Sequence, residues 1–117
     1  MSELKVYSEA EAKEKLAQEL PGWSVEDNHL KREYKTDGWR TTLMVVNSIA
    51  FVAEAADHHP NLAVFWPKVV VTLQTHSAGG ITEMDLELAR QIESTVLWRP
   101  AAGSVFKGGT KSKWVSG

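Results

Sequence analysis

The stretch Leu43-Met44-Val45-Val46-Asn47-Ser48-Ile49-Ala50-Phe51-Val52-Ala53-Glu54-Ala55-Ala56-Asp57-His58-His59-Pro60 decides how the rest of the chain must be arranged. Between Leu43 and Ala53 only Asn47 and Ser48 are polar, and the β-branched Val45, Val46, Ile49 and Val52 suit a strand as well as a helix. The length of the run and the alanines at 50, 53, 55 and 56 favour a helix. A helix that is apolar nearly all round must be covered on more than one side. One small sheet covers only one face, so the surplus predicts a helix from a second copy of the chain packed against it.

This helix runs into a chemically active end. Glu54 and His58 are four residues apart and share a helical face, whereas His59 points elsewhere unless the helix has already unwound. Pro60 disfavours helical geometry in the residue before it, which places the histidine pair at a helix end opening into a loop. Three of the four histidines, His58, His59 and His76, fall within a short span. Imidazole gives and takes protons near neutrality, so such a cluster implies proton transfer or metal binding. His29, beside a turn on the polar side of an alternating segment, is read as a solvent residue.

On the amino-terminal side, Ser8-Glu9-Ala10-Glu11 matches a capping box. Ala12, Leu16 and Leu20 continue from it as an apolar stripe that Pro21-Gly22 ends. Trp23 and Val25, then Leu30, Arg32 and Tyr34, alternate with polar residues about Asp27-Asn28, which predicts a hairpin. Asp37 is placed to cap the long apolar helix. On the carboxy-terminal side, Asn61 to Trp66 reads as a strand, Pro67-Lys68 as a turn, and Val69 to His76 as a strand with Val69, Val71, Leu73 and Thr75 on one face. His76 falls on the wetter face. After the flexible Ser77-Ala78-Gly79-Gly80, Thr82 and Asp85 form a second capping box, so the ordinary reading of Asp85 is helix capping. Ile81, Met84, Leu88, Ala89, Ile92 and Val96 carry the stripe of a last helix.

The resulting order α-β-β-α-β-β-α predicts an α+β fold, a single four-stranded antiparallel sheet with three helices packed on one face. Residues 1–98 form one domain. Residues 99–117 form a carboxy-terminal extension of unknown role, read as an extended segment that docks on the body through Phe106 and Trp114.

Composition narrows the partners. The chain has 117 residues, a net charge of −2, 43% hydrophobic and 24% charged residues. That is an ordinary globular balance with nothing that asks for nucleic acid. Cysteine is absent, which excludes disulfides and thiol catalysis. Met1-Ser2-Glu3-Leu4-Lys5 lacks the apolar core expected of a signal peptide, no run approaches the apolar length of a membrane span, and a cytoplasmic location is expected.

Two chemistries compete for Glu54, His58, His59 and His76. A Glu and a His at i, i+4 with a further His can form a metal site of two or three ligands. The alternative is metal-free acid/base catalysis by histidines flanking a polar heterocycle. Divergence of the adjacent histidines and the absence of an acid-rich second shell weigh against the metal.

Glu54, His58-His59-Pro60, Trp66, His76 and Asp85, with Lys68-Val69, Thr75-His76 and Gly80-Ile81-Thr82 around them, resemble the pattern of the pterin-4a-carbinolamine dehydratases over residues 8–96. Leu62 departs from it where relatives carry a tryptophan near the pterin, and Pro67 replaces a polar turn residue. The resemblance implies a hydro-lyase that dehydrates 4a-hydroxytetrahydropterin to quinonoid dihydropterin in tetrahydrobiopterin recycling, with no metal or other cofactor. It implies His58, His59 and His76 as catalytic residues and Glu54, Trp66 and Asp85 on the substrate. Glu54 would bind the ring or hold an imidazole in one tautomer. It also implies a homodimer or homotetramer, with the catalytic histidines contributed within one chain. Some relatives act instead as protein-binding or assembly modules, which stands as the alternative function.

Overall fold

A computed structural model describes residues 4–111 and 113–116. Helix α1 (Glu9–Glu19) starts where Ser8 and Glu11 cap each other's backbone amides, and it buries Ala12 and Leu16. Strands β1 (Ser24–Glu26) and β2 (His29–Thr36) follow. They are joined through Asp27 and Asn28, both at positive φ (50° and 59°), the geometry of a type I′ hairpin turn. Helix α2 (Trp39–Ala56), β3 (Asn61–Phe65), β4 (Lys68–Leu73) and α3 (Glu83–Val96) complete the expected order.

The sheet runs β1-β2-β4-β3, with every pairing antiparallel. Leu30 and Tyr34 of β2 and Val69, Val71 and Leu73 of β4 point to one face. There they meet Val45, Ile49 and Val52 of α2 and Leu88, Ala89 and Ile92 of α3 in a single core. A polar clamp crosses this core. Glu93 of α3 accepts hydrogen bonds from Trp23 Nε1 (3.0 Å), Arg32 Nε and Nη2 (3.0 Å each) and Tyr34 Oη (2.6 Å). Burial pushes the Glu93 carboxyl up, but these donors outweigh it and hold it below its ordinary range. Gly22 makes room for the clamp, since a Cβ there would lie 2.7 Å from Arg32 Cζ.

Two local details differ from the sequence reading, and the extension follows it through Trp114 but not through Phe106. Gly38, not Asp37, is the N-cap of α2, and the Asp37 carboxylate instead accepts from the Thr41 hydroxyl one turn inside. Strand β4 stops at Leu73. His76 opens a 3-10 turn (His76–Ala78) that closes on Gly79 at φ 73°, so Ser77 to Gly80 is an ordered turn with Thr75 and Gly80 bridged across it. The extension after α3 returns to the body: β5 (Val115–Ser116) pairs with Lys35 and Thr36 of β2 and buries Val115. Trp114 lies under the Arg99 guanidinium (5.0 Å to the ring centre), whereas Phe106 remains exposed. Among the described residues, no helix is long and apolar enough to cross a membrane.

Candidate active site

The site is built where α2 gives out. Asp57 adopts the left-handed conformation (φ 53°, ψ 40°), which a short polar side chain tolerates better than most, and its N–H closes on Ala53 and Glu54. The next residues therefore leave the helical path. His58 turns inward, with a side chain only 12% exposed, and its Nε2 lies 2.6 Å from Asp85 Oδ1. His59, which precedes Pro60 and so is disfavoured from helical geometry, turns outward and places Nε2 2.9 Å from Glu54 Oε1. Thus Glu54 partners His59 rather than His58, the unwound alternative of the two that the spacing allowed.

Asp85 occupies the third position of α3 and is fully buried. Its Oδ2 accepts from the Thr82 N–H (2.9 Å), which completes the expected capping box, and from the Thr75 hydroxyl (2.8 Å). Asp85 is therefore both helix cap and partner of His58, with Oδ2 facing two protein donors and Oδ1 facing the imidazole. The sequence pattern puts Thr75 on the inward face of its strand and beside His76 but assigns it no chemical role. Its inward alternation with Val69, Val71 and Leu73 was the available signal.

His76 is exposed and follows Thr75 directly, so the connection Thr75–Asp85–His58 brings it to the same end of the sheet as His58 and His59. Trp66 does not join them. It is exposed in the β3–β4 turn, at the Phe65–Lys68 end of a strand pair whose other end, Asn61–Thr72, adjoins the histidines. Four strand steps between those ends amount to about 13 Å.

An open groove of about 810 Å³ runs between α2 and α3 beside this cluster. Phe51, Val52, Met84 and Leu88 give it apolar walls, and of the predicted site residues only His58 borders it. Among the described residues, no group of three or more His, Asp or Glu side chains is gathered so as to hold a metal ion. The arrangement instead supplies an enclosed His–carboxylate pair, an exposed His–carboxylate pair and a further exposed imidazole. These are groups suited to moving protons on a ligand at the helix end.

Comparison with known proteins agrees with the pattern. The profile of the family described as pterin 4 alpha carbinolamine dehydratase matches residues 5–95. A relative from Aquifex aeolicus (strain VF5) is 48% identical over 76% of this chain and 89% of its own length. One from Sulfolobus acidocaldarius (strain ATCC 33909) is 44% identical over 72% and 91%. Both bear the name "Putative pterin-4-alpha-carbinolamine dehydratase". The crystal structure of a transcriptional coactivator/pterin dehydratase from Brucella melitensis superposes with a TM-score of 0.72 at 33% identity, over 79% of this chain and 99% of that one. A pterin dehydratase-like RuBisCO assembly factor of the alpha-carboxysome shares the fold, with a TM-score of 0.53 at 17% identity over 64% of this chain and 87% of that one.

Proposed function

Since the chain belongs to the pterin 4-alpha-carbinolamine dehydratase family, we propose that it removes water from a 4a-hydroxytetrahydropterin by histidine acid/base catalysis. The observation that carries this reading is the 2.6 Å contact between His58 and the buried Asp85, beside His59 and His76 at one end of the sheet.

Hydroxide is a poor leaving group. A protonated imidazole delivers its proton to the 4a-oxygen as the C4a–O bond breaks, and a neutral imidazole takes the proton from the ring nitrogen whose electron pair forms the new double bond. Water and quinonoid dihydropterin are the products, and solvent returns the proton from base to acid. His58 and His76 are assigned this pair of roles. His59, steered by Glu54, positions the substrate or shares its proton, and Asp85 orients His58 from behind. The elimination changes no oxidation state at the protein and is written with no metal and no redox cofactor.

A binding-module reading has one observation in its favour, the apolar outer side of α2, where Trp39, Met44 and Phe51 are 47%, 48% and 76% exposed. The two readings separate in one experiment. Chemically generated 4a-hydroxytetrahydropterin should disappear faster with the protein than without it, and His58→Ala should lower turnover by about 10² or more. Equal rates with and without wild-type protein would leave the binding module as the better account.

A further inference from the structure

Building on the dehydratase reading, we infer that Thr75, backed by Thr82, is a positioning residue that fixes Asp85 as acceptor for His58 Nε2–H and leaves His58 Nδ1 for the substrate. Thr75 is 4% exposed, and Thr82 and Asp85 are fully buried. Each threonine hydroxyl carries one hydrogen. The two hydroxyl oxygens are 2.8 Å apart, Thr82 Oγ1 also accepts from the Met84 N–H (3.2 Å), and Thr75 Oγ1 lies 2.8 Å from Asp85 Oδ2.

A carboxylate only accepts, so the Thr75 hydrogen goes to Asp85 and the Thr82 hydrogen goes to Thr75. The chain then has one direction, Thr82 to Thr75 to Asp85, and each donor strengthens the next. A proton on Asp85 Oδ2 would reverse this chain, strand the Thr82 hydroxyl hydrogen without an acceptor and face the Thr82 N–H. Oδ2 is thereby confined to accepting. With Asp85 as a carboxylate Oδ1 also only accepts, so the hydrogen between Oδ1 and His58 belongs to Nε2, and the neutral ring has its lone pair on Nδ1.

Thr75 is suited to this task because it is itself held. Its N–H donates to the Gly80 carbonyl (2.9 Å) across the 3-10 turn, and the next residue is His76. One buried residue therefore links the placement of both histidines assigned to proton transfer, His58 through its hydroxyl and His76 through its backbone.

The test uses the full chain labelled with nitrogen-15, without pterin, in long-range proton–nitrogen imidazole spectra. Wild type and Thr75→Ser should carry the neutral His58 proton on Nε2, while Thr75→Val should show both tautomers over an unchanged amide spectrum. In the dehydration assay Thr75→Val should lose about tenfold in kcat, the order of one hydrogen bond to a charged group, with KM little changed. Thr75→Ser should restore it. A His58 proton on Nδ1 in wild type overturns the inference and requires no variant to be folded. An unchanged tautomer in Thr75→Val overturns it too, whatever happens to kcat. Failure of the dehydratase reading is seen separately, as wild-type protein that does not dehydrate the pterin, and the tautomer spectra still decide the part played by Thr75.

Discussion

His58 Nε2 lies 2.6 Å from Asp85 Oδ1 across 27 residues of sequence, while Glu54, spaced to share a helical face with His58, lies 2.9 Å from His59. The left-handed Asp57 makes this exchange, since it ends α2 one residue too early for the i, i+4 pair to form. A buried carboxylate thus serves the enclosed imidazole and a solvated one serves the exposed imidazole.

Removal of the buried carboxylate should cost more than a helix cap. Loss of a capping side chain is worth about 1 kcal/mol. Asp85→Ala also leaves the Thr75 hydroxyl without its carboxylate acceptor, at about 1–3 kcal/mol for a buried group. A total of about 2–4 kcal/mol is expected by urea denaturation. A loss near 1 kcal/mol would reduce Asp85 to its capping role.

The exposed pair should behave in the opposite way. Glu54 and His59 have side chains 82% and 55% exposed, and a solvated ion pair contributes little to folding. Glu54→Gln should shift stability by no more than about 0.5 kcal/mol while changing KM or kcat of the dehydration. Unaltered kinetics would take Glu54 out of the site.

Acid should unlock the core clamp. The Glu93 carboxyl is held below its ordinary value of 4.5, the pull of Arg32 and Tyr34 outweighing burial. A depressed folded pKa contributes stability that is fully present above the unfolded value and is lost as pH falls through the folded value. The melting temperatures of wild type and Glu93→Gln should therefore differ most above about pH 4.5 and converge below it. A gap that stays constant down to pH 3 would mean that the carboxylate charge contributes nothing.

Much of the fold was legible because its signals are local. Ser8 with Glu11 and Thr82 with Asp85 are capping boxes within one helical turn, and Val69, Val71 and Leu73 alternate on a single strand. The candidate site was legible as a set of residues but not as a set of partners. No periodicity links His58 to Asp85 or Thr75 to Thr82, because those contacts depend on how α3 docks against the end of β4. The same limit explains Trp66: a strand runs straight, so a residue close to the histidines in sequence is carried away from them in space.

Assembly is the last expectation, and it reconciles two surfaces that a lone chain leaves uncovered. Trp39, Leu43, Met44 and Phe51 stand on the outer side of α2 at 39–76% exposure, next to the groove walled by Met84 and Leu88. On the other flank β3 ends the sheet, with Val64 and Phe65 exposed and, among the described residues, nothing paired to its outer edge. A second chain laid antiparallel along β3 would cover that edge and set its own Trp66 beside the first chain's Asn61, at the histidine end. Helix against helix would cover Phe51. A homodimer or homotetramer is therefore expected, and sedimentation at micromolar concentration should give at least twice the 13.0 kDa chain mass. Phe51→Glu should lower that mass if the helices form a contact. Wild-type protein that sediments as a monomer would refute the expectation, and Trp66 would then have no route to the substrate.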